Sequence, residues 1–189
     1  MINNICVFCG SSFGKHDVYQ QEVLQLGKTL ATKKINLIYG GGNVGLMGVL
    51  SRTVLENGGE VTGIIPKKIH ESVDHIELTE TVIVDTMHER KASMYSLADA
   101  FIALPGGIGT LEELAEVMTW QQIGYHAKPI GVFNINGFYQ PFEKLLEHMV
   151  QEGFLKPEFA KNLIVEDTPE QLLERLEKFA PKLLSKWST

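Results

Sequence analysis

The stretch Ala100-Phe-Ile-Ala-Leu-Pro-Gly-Gly-Ile-Gly-Thr-Leu-Glu-Glu113 passes through three kinds of local signal in fourteen residues. Its first five residues are apolar and short enough for a fully buried strand. Pro105 then breaks the pattern, three glycines fall within four positions, and Thr110 opens a helical run. Strand, glycine turn and helix start, in that order, are how α/β proteins build an anion site. Glycine has no Cβ to hold a ligand off the backbone, and the free N–H groups of a first helical turn have the positive end of the helix dipole behind them. A phosphate is the commonest occupant of such a place. On this reading Glu112 and Glu113 stand in that same first turn, the loop holds a phosphate, and one carboxylate does the chemistry. Thr110-x-x-Glu113 also reads as a capping box, in which Glu113 merely returns to the backbone N–H of the cap residue.

The pattern repeats on either side. Before it, Ile5–Cys9 reads as a buried first strand ending in Gly10-Ser-Ser-Phe-Gly14, and a helix follows from about Asp17 to Lys33 with Val23, Leu24, Leu26, Leu30 and Ala31 on its apolar face. Ile35–Tyr39 is the next strand, then Gly40-Gly-Gly-Asn-Val-Gly-Leu-Met-Gly48 and a helix through about Leu55, closed by Gly58-Gly59. Val61–Ile65 is a third strand ended by Pro66, and the polar segment Lys67–Glu77, with His70 and His75, reads as a loop. Val82–Val84 reads as a strand, and Met87–Leu97 as a helix with Met94 and Leu97 inward. After the central stretch, whose helix runs to about Ile123, come strand Ile130–Phe133, a turn at Asn134–Gly137, and a helix from about Phe138 to Glu152. Leu163–Val165 is a last strand, and Thr168 caps a terminal helix Pro169–Phe179 whose Leu172, Leu173, Leu176 and Phe179 form a packing face. Strands alternating with helices predict a parallel sheet covered on both faces, in one domain spanning residues 1–189. In such folds ligands bind beyond the carboxyl ends of the strands, so the three small-residue turns are expected to line one crevice.

Composition sets the bounds. The 189 residues are 44% hydrophobic and 21% charged, ordinary for a globular domain. A net charge of −6 argues against a general nucleic-acid binder, yet leaves room for a small anionic ligand in a locally positive site. The opening Met1-Ile-Asn-Asn-Ile-Cys-Val-Phe-Cys9 lacks the basic region of a signal peptide, and no apolar run reaches the ~20 residues of a membrane span, so a cytoplasmic protein is expected. Cys6-x-x-Cys9 has a metal-like spacing, but an offset of three along a strand puts the two side chains on opposite faces. They read as small buried residues, and no metal is assigned.

Two further motifs carry alternatives. Gly40-x-Gly42-x-x-Gly45 matches a dinucleotide fingerprint, but the acidic residue about twenty positions on, Glu60, falls at the start of the following strand and so at the wrong end. A P-loop motif is absent from the sequence. In Met87-His-Glu-Arg-Lys91, adjacent cations at a helix start oppose its dipole. An anionic ligand would relieve that conflict, and a solvated charged turn is the plainer reading.

Together these segments resemble the LOG ("Lonely guy") family, the cytokinin riboside 5′-monophosphate phosphoribohydrolases. Its P-G-G-x-G-T-x-x-E hallmark stands here as Pro105–Glu113, and its arginine motif as Met87–Lys91. Tyr39–Gly48, Met118-Thr-Trp-Gln-Gln-Ile-Gly124 and Cys9-Gly-Ser-Ser12 also match, so the likeness runs from about residue 5 to 155. The resemblance implies a homodimeric Rossmann-like protein that hydrolyses the N-glycosidic bond of a nucleoside 5′-monophosphate, such as an N6-substituted adenosine monophosphate, to free base and ribose 5-phosphate, with no cofactor. It makes Arg90 and Glu113 the catalytic pair, and Lys91, Gly106, Gly107, Ile108, Gly109, Thr110, Leu111, Glu112 and Thr119 substrate contacts. The family's glutamate ligand after the third strand has no matching residue; Glu71 and Ser72 compete for its place. Two rival readings remain: a non-catalytic nucleotide or molybdenum-cofactor carrier, a class with a similar fold and glycine loop, and a lysine decarboxylase, a label attached to similar sequences that predicts pyridoxal phosphate.

Overall fold

The strands are set by short runs of β-branched and aromatic residues: β1 (Asn4–Phe8), β2 (Asn36–Tyr39), β3 (Val61–Pro66), β4 (Glu80–Val84), β5 (Ala100–Ala103), β6 (Ile130–Phe133) and β7 (Leu163–Glu166). The computed structural model describes residues 1–72 and 76–180, so His75 lies outside the described residues. All seven strands pair in parallel, in the order β4-β3-β2-β1-β5-β6-β7. The chain winds outward from β1 in one direction as far as β4, then returns to β1's other side with β5 and winds away. The result is a Rossmann-like doubly wound sheet whose switch point lies between β1 and β5.

Side chains alternate across this sheet and seed two cores. Ile5, Val7, Leu37, Tyr39, Ala100 and Ile102 point to one face, where they meet α1 (Val18–Thr32), α2 (Gly45–Glu56) and α8 (Pro169–Lys178). Cys6, Phe8, Ile38, Phe101 and Ala103 point to the other, against α4 (Met87–Leu97), α5 (Ile108–Gln122) and α6 (Gln140–Gln151). The two cysteines are thereby split as their spacing requires: Cys6 is wholly buried in the second core, and Cys9 packs against the first. On α8, Leu172, Leu173 and Leu176 are buried, Phe179 packs beside them, and the Thr168 hydroxyl accepts the Gln171 N–H at 3.4 Å.

Several local expectations change. Leu24 faces outward from α1. Leu97, expected inward, is 45% exposed because α4 ends there: Ala98 turns extended and takes the buried place itself. The segment after Pro66 begins with one helical turn, α3 (Lys67–His70), and a second short helix, α7 (Pro157–Ala160), opens on its proline. Among the described residues no helix is long and apolar enough to cross a membrane.

Candidate active site

Beyond the carboxyl ends of β1, β2 and β5 lies a cleft of about 400 Å³, and all three small-residue turns reach it through Gly10 and Ser11, Gly40, and Gly107 to Thr110. The strands on either side of the switch point are clasped at its floor: the Gly10 N–H donates to the Pro105 carbonyl at 3.2 Å and the Leu104 N–H to that of Phe8 at 2.9 Å. Gly106 is a glycine for packing reasons, since a Cβ there would run into the Thr110 side chain and lie 2.9 Å from the Gly10 nitrogen. Gly107 and Gly109 are different. A Cβ on either meets nothing within 4 Å, so what their lack of side chains preserves is open space in front of the helix.

That helix, α5, begins two residues earlier than Thr110. Gly107 is its N-cap in an extended conformation, and no side chain caps its first turn. Thr110 is instead buried, with its hydroxyl against Gly106. Two expectations fall with this. The capping box is not formed at Thr110 and Glu113, and both Glu112 and Glu113 stand in the second turn, where the dipole field of the helix end has faded. A side-chain cap is formed on α4, where Thr86 accepts the Glu89 N–H at 3.1 Å, and the Glu89 carboxylate reaches back past the cap residue to the Asp85 N–H at 2.9 Å.

Freed from capping, Glu113 pairs with Arg90. Arg90 Nη1 lies 3.2 Å from Glu113 Oε1, with both side chains only 13% exposed, and Arg90 Nε donates to the Ile64 carbonyl at 3.2 Å. Burial pushes the Glu113 carboxyl up, Arg90 pulls it back, and Glu112 adds a smaller push; the net direction is upward. Arg90, rather than the helix end, is therefore what holds the carboxylate charged. Lys91 has its own acids: Nζ donates to Glu112 at 2.7 Å and Glu116 at 3.1 Å. Burial by itself draws the ammonium down, but the bonds to Glu112 and Glu116 outweigh it and leave it above the ordinary lysine value. The Tyr95 hydroxyl donates to the other Glu116 oxygen at 2.6 Å. Arg90 and Lys91 are the fourth and fifth residues of α4, so the expected clash with its dipole is slight; acids of α5 neutralise both, and the turn is not simply solvated.

Arg90, Lys91, Gly107, Ile108, Gly109, Thr110, Glu112 and Glu113 all line the cleft. Gly106 and Leu111 line a smaller apolar hollow on the far side of the loop, with Phe138 and Tyr139. Thr119 is not brought to the cleft. It faces an apolar groove between α5 and α6, about 10 Å along the helix from Glu112. Sequence reasoning missed Glu116 and Tyr95, although a signal existed: Lys91 and Tyr95 on α4, and Glu112 and Glu116 on α5, are i,i+4 pairs that become one network once the helices face each other. Cys9 also lines the cleft, its thiol held protonated because burial and Glu113 push it well up. Among the described residues no group of three or more His, Cys, Asp or Glu side chains is placed to hold a metal.

A family model described as "Possible lysine decarboxylase" matches residues 47–176. The cytokinin riboside 5′-monophosphate phosphoribohydrolase LOG of Oryza sativa subsp. japonica is 46% identical over 179 residues, which cover 94% of this chain and 74% of the rice protein. The chain belongs to the LOG family. An Arabidopsis thaliana protein of the same description, LOG3, is 47% identical over 182 residues, covering 94% of this chain and 83% of its own length. Among solved structures, the molybdenum cofactor binding protein of Rippkaea orientalis superposes with a TM-score of 0.70 at 22% identity, covering 94% of this chain and 97% of that one. The molybdenum cofactor carrier protein of Chlamydomonas reinhardtii gives 0.67 at 18%, covering 94% and 98%. At such identities the likeness is one of fold. Pyridoxal phosphate does not fit the LOG-family cleft seen here. Its lysine, Lys91, is fixed as a cation by two carboxylates, whereas a Schiff-base amine must be readily deprotonated. Lys128, whose ammonium is drawn down by burial, binds the Tyr95 carbonyl at 2.7 Å, at the C-terminal end of α4.

Proposed function

We propose that this protein hydrolyses the N-glycosidic bond of N6-substituted adenosine 5′-monophosphates, releasing free base and ribose 5-phosphate. The observation that carries the reading is the buried Arg90–Glu113 pair facing a cleft beside an uncapped helix start. The phosphate sits at the first turn of α5, over Gly107 and Gly109, and fixes the ribose in front of Glu113. Breaking the C–N bond builds oxocarbenium charge on the sugar, as in glycoside hydrolysis. The Glu113 carboxylate stabilises that charge and takes a proton from the attacking water, whose oxygen bonds the ribose carbon as the C–N bond breaks, and the departing base takes up a proton at the freed ring nitrogen. Arg90 keeps the carboxylate ionised and oriented through one arm of its guanidinium, while Nε is tied to Ile64. Lys91 offers a second positive charge to the substrate, shared with Glu112 on the exposed side.

The enzyme is proposed to act as a cytoplasmic homodimer. The groove between α5 and α6, lined by Phe142, Met149 and Leu155, and the strongly exposed Phe154 and Tyr125 favour association. Thr119 lies on that groove, so it serves as a substrate contact only where a ligand or a second copy reaches along α5. The test is chromatographic: purified protein is given N6-isopentenyladenosine monophosphate or AMP, and free base is measured. Release of base supports the reading and ranks the two substrates. Tight binding without release would move the protein to the carrier class, which at present rests on fold alone.

A further inference from the structure

The run Gly40-Gly-Gly-Asn-Val-Gly45 has the spacing of a dinucleotide loop, but each glycine of the pattern is accounted for by this chain itself. Gly45 has φ +55° and lies against the Ser11 backbone; a Cβ on Gly42 would stand 2.9 Å from Met47 Cε. Gly40 is the one that touches the chemistry. A Cβ there would overlap Arg90 Nη2 and come within 3.0 Å of Cζ and 3.4 Å of Nε. We propose that Gly40 is the positioning residue for Arg90: its missing side chain is the seat in which the guanidinium lies to reach Glu113. For its bearing on catalysis this rests on the hydrolase reading above.

The geometry leaves Arg90 no equivalent alternative. Its Nε is bonded to the carbonyl of Ile64 on β3, Nη1 is bonded to Glu113 on α5, and Nη2 faces Gly40 at the end of β2. The guanidinium is planar, so shifting one nitrogen moves all three. A methyl group on Gly40 would have to push Nη2 aside and would break the other two bonds with it. The strand end carrying Gly40 is much harder to move, since Tyr39 before it is paired with Gly63 in the sheet and wholly buried. Gly40 itself is not in the left-handed region, unlike Gly41 and Gly45, so alanine there meets no backbone strain of its own. The cost of Gly40→Ala falls on Arg90.

The decisive experiment is a double-mutant cycle of Gly40→Ala with Arg90→Ala. Its first readout is the titration midpoint of the Glu113 carboxyl, followed by NMR on protein labelled in glutamate side chains and assigned with Glu113→Gln. The second is kcat on N6-isopentenyladenosine monophosphate. Gly40→Ala is expected to raise the midpoint as Arg90→Ala does, and to lower kcat on the order of 100-fold with KM nearly unchanged. In the double variant the added methyl of Gly40→Ala has nothing to displace, so both readouts should equal those of Arg90→Ala alone. An unshifted midpoint in Gly40→Ala, or two shifts that add, overturns the proposal. Should Gly40→Ala not fold, a double variant as stable as Arg90→Ala supports the seat, and one that also fails to fold overturns it. If the wild type releases no base but the midpoints behave as described, the hydrolase reading fails and the seat stands.

Discussion

Replacing Tyr95 with phenylalanine removes one hydroxyl and leaves everything else about the side chain in place. The ring sits edge-on to Phe8, Phe101 and Trp120, with centroids 6.1, 5.7 and 5.2 Å away, and phenylalanine keeps all three contacts. What goes is the donation to Glu116 Oε2 at 2.6 Å, a hydrogen bond to a charged acceptor. Such bonds contribute about 1.5–3 kcal/mol. The lower end applies here, because the Glu116 side chain is 26% exposed and keeps Lys91 at 3.1 Å, so water and the ammonium offset part of the loss. A loss of about 1.5 kcal/mol in a protein of this size lowers Tm by roughly 3–6 °C. Equilibrium urea unfolding and calorimetry measure it, beside Glu116→Ala and the double variant. Because the hydroxyl acts through Glu116, the double variant should fall well short of the sum of the singles. Tyr95→Phe within about 0.5 kcal/mol of wild type, or strictly additive with Glu116→Ala, would mean that the hydroxyl does not stabilise the fold through Glu116.

The acid limb of kcat should lie above the 4.5 of an ordinary carboxylate, since burial outweighs Arg90 at Glu113. The ionised form is the active one, so activity falls as pH drops through that midpoint; Arg90→Ala removes the lowering influence and moves the limb further up in a pH–rate profile. The glycine loop divides into two kinds of position. Gly106→Ala should destabilise the fold in a thermal melt, because its methyl meets Thr110 and Gly10. Gly107→Ala should melt near wild type yet raise KM for the phosphorylated substrate, because its methyl projects into open space at the helix start.

The fold was legible because its strands are short apolar runs each followed by a small-residue turn, and alternation along β1 even placed Cys6 and Cys9 on opposite faces. The meeting of three turns in one cleft followed from parallel strands having all their carboxyl ends on one side. What stayed hidden was which local partner wins. Thr110 and Glu113 satisfy the capping pattern, but Gly107 starts the helix earlier and carries both residues past the cap. At Thr86 and Glu89, with no glycine to start the helix earlier, the threonine does cap, and the glutamate returns to the Asp85 N–H just before it. Lys91 and Glu116 are 25 residues apart, and only the packing of α4 against α5 makes them neighbours. Gly40 was legible as a glycine before a helix but not as the seat of a side chain fifty residues on, because a glycine marks a close approach without naming the group that makes it.

Under the proposed function a buried carboxylate, Glu113, drives hydrolysis of a nucleotide held by the glycine loop. The most direct test is single-turnover release of free base from N6-isopentenyladenosine monophosphate by wild type and Glu113→Gln, with substrate binding measured in parallel. Glu113→Gln should lose about 10²–10⁴-fold in release with binding largely retained. Turnover by Glu113→Gln within a few-fold of wild type would contradict that role.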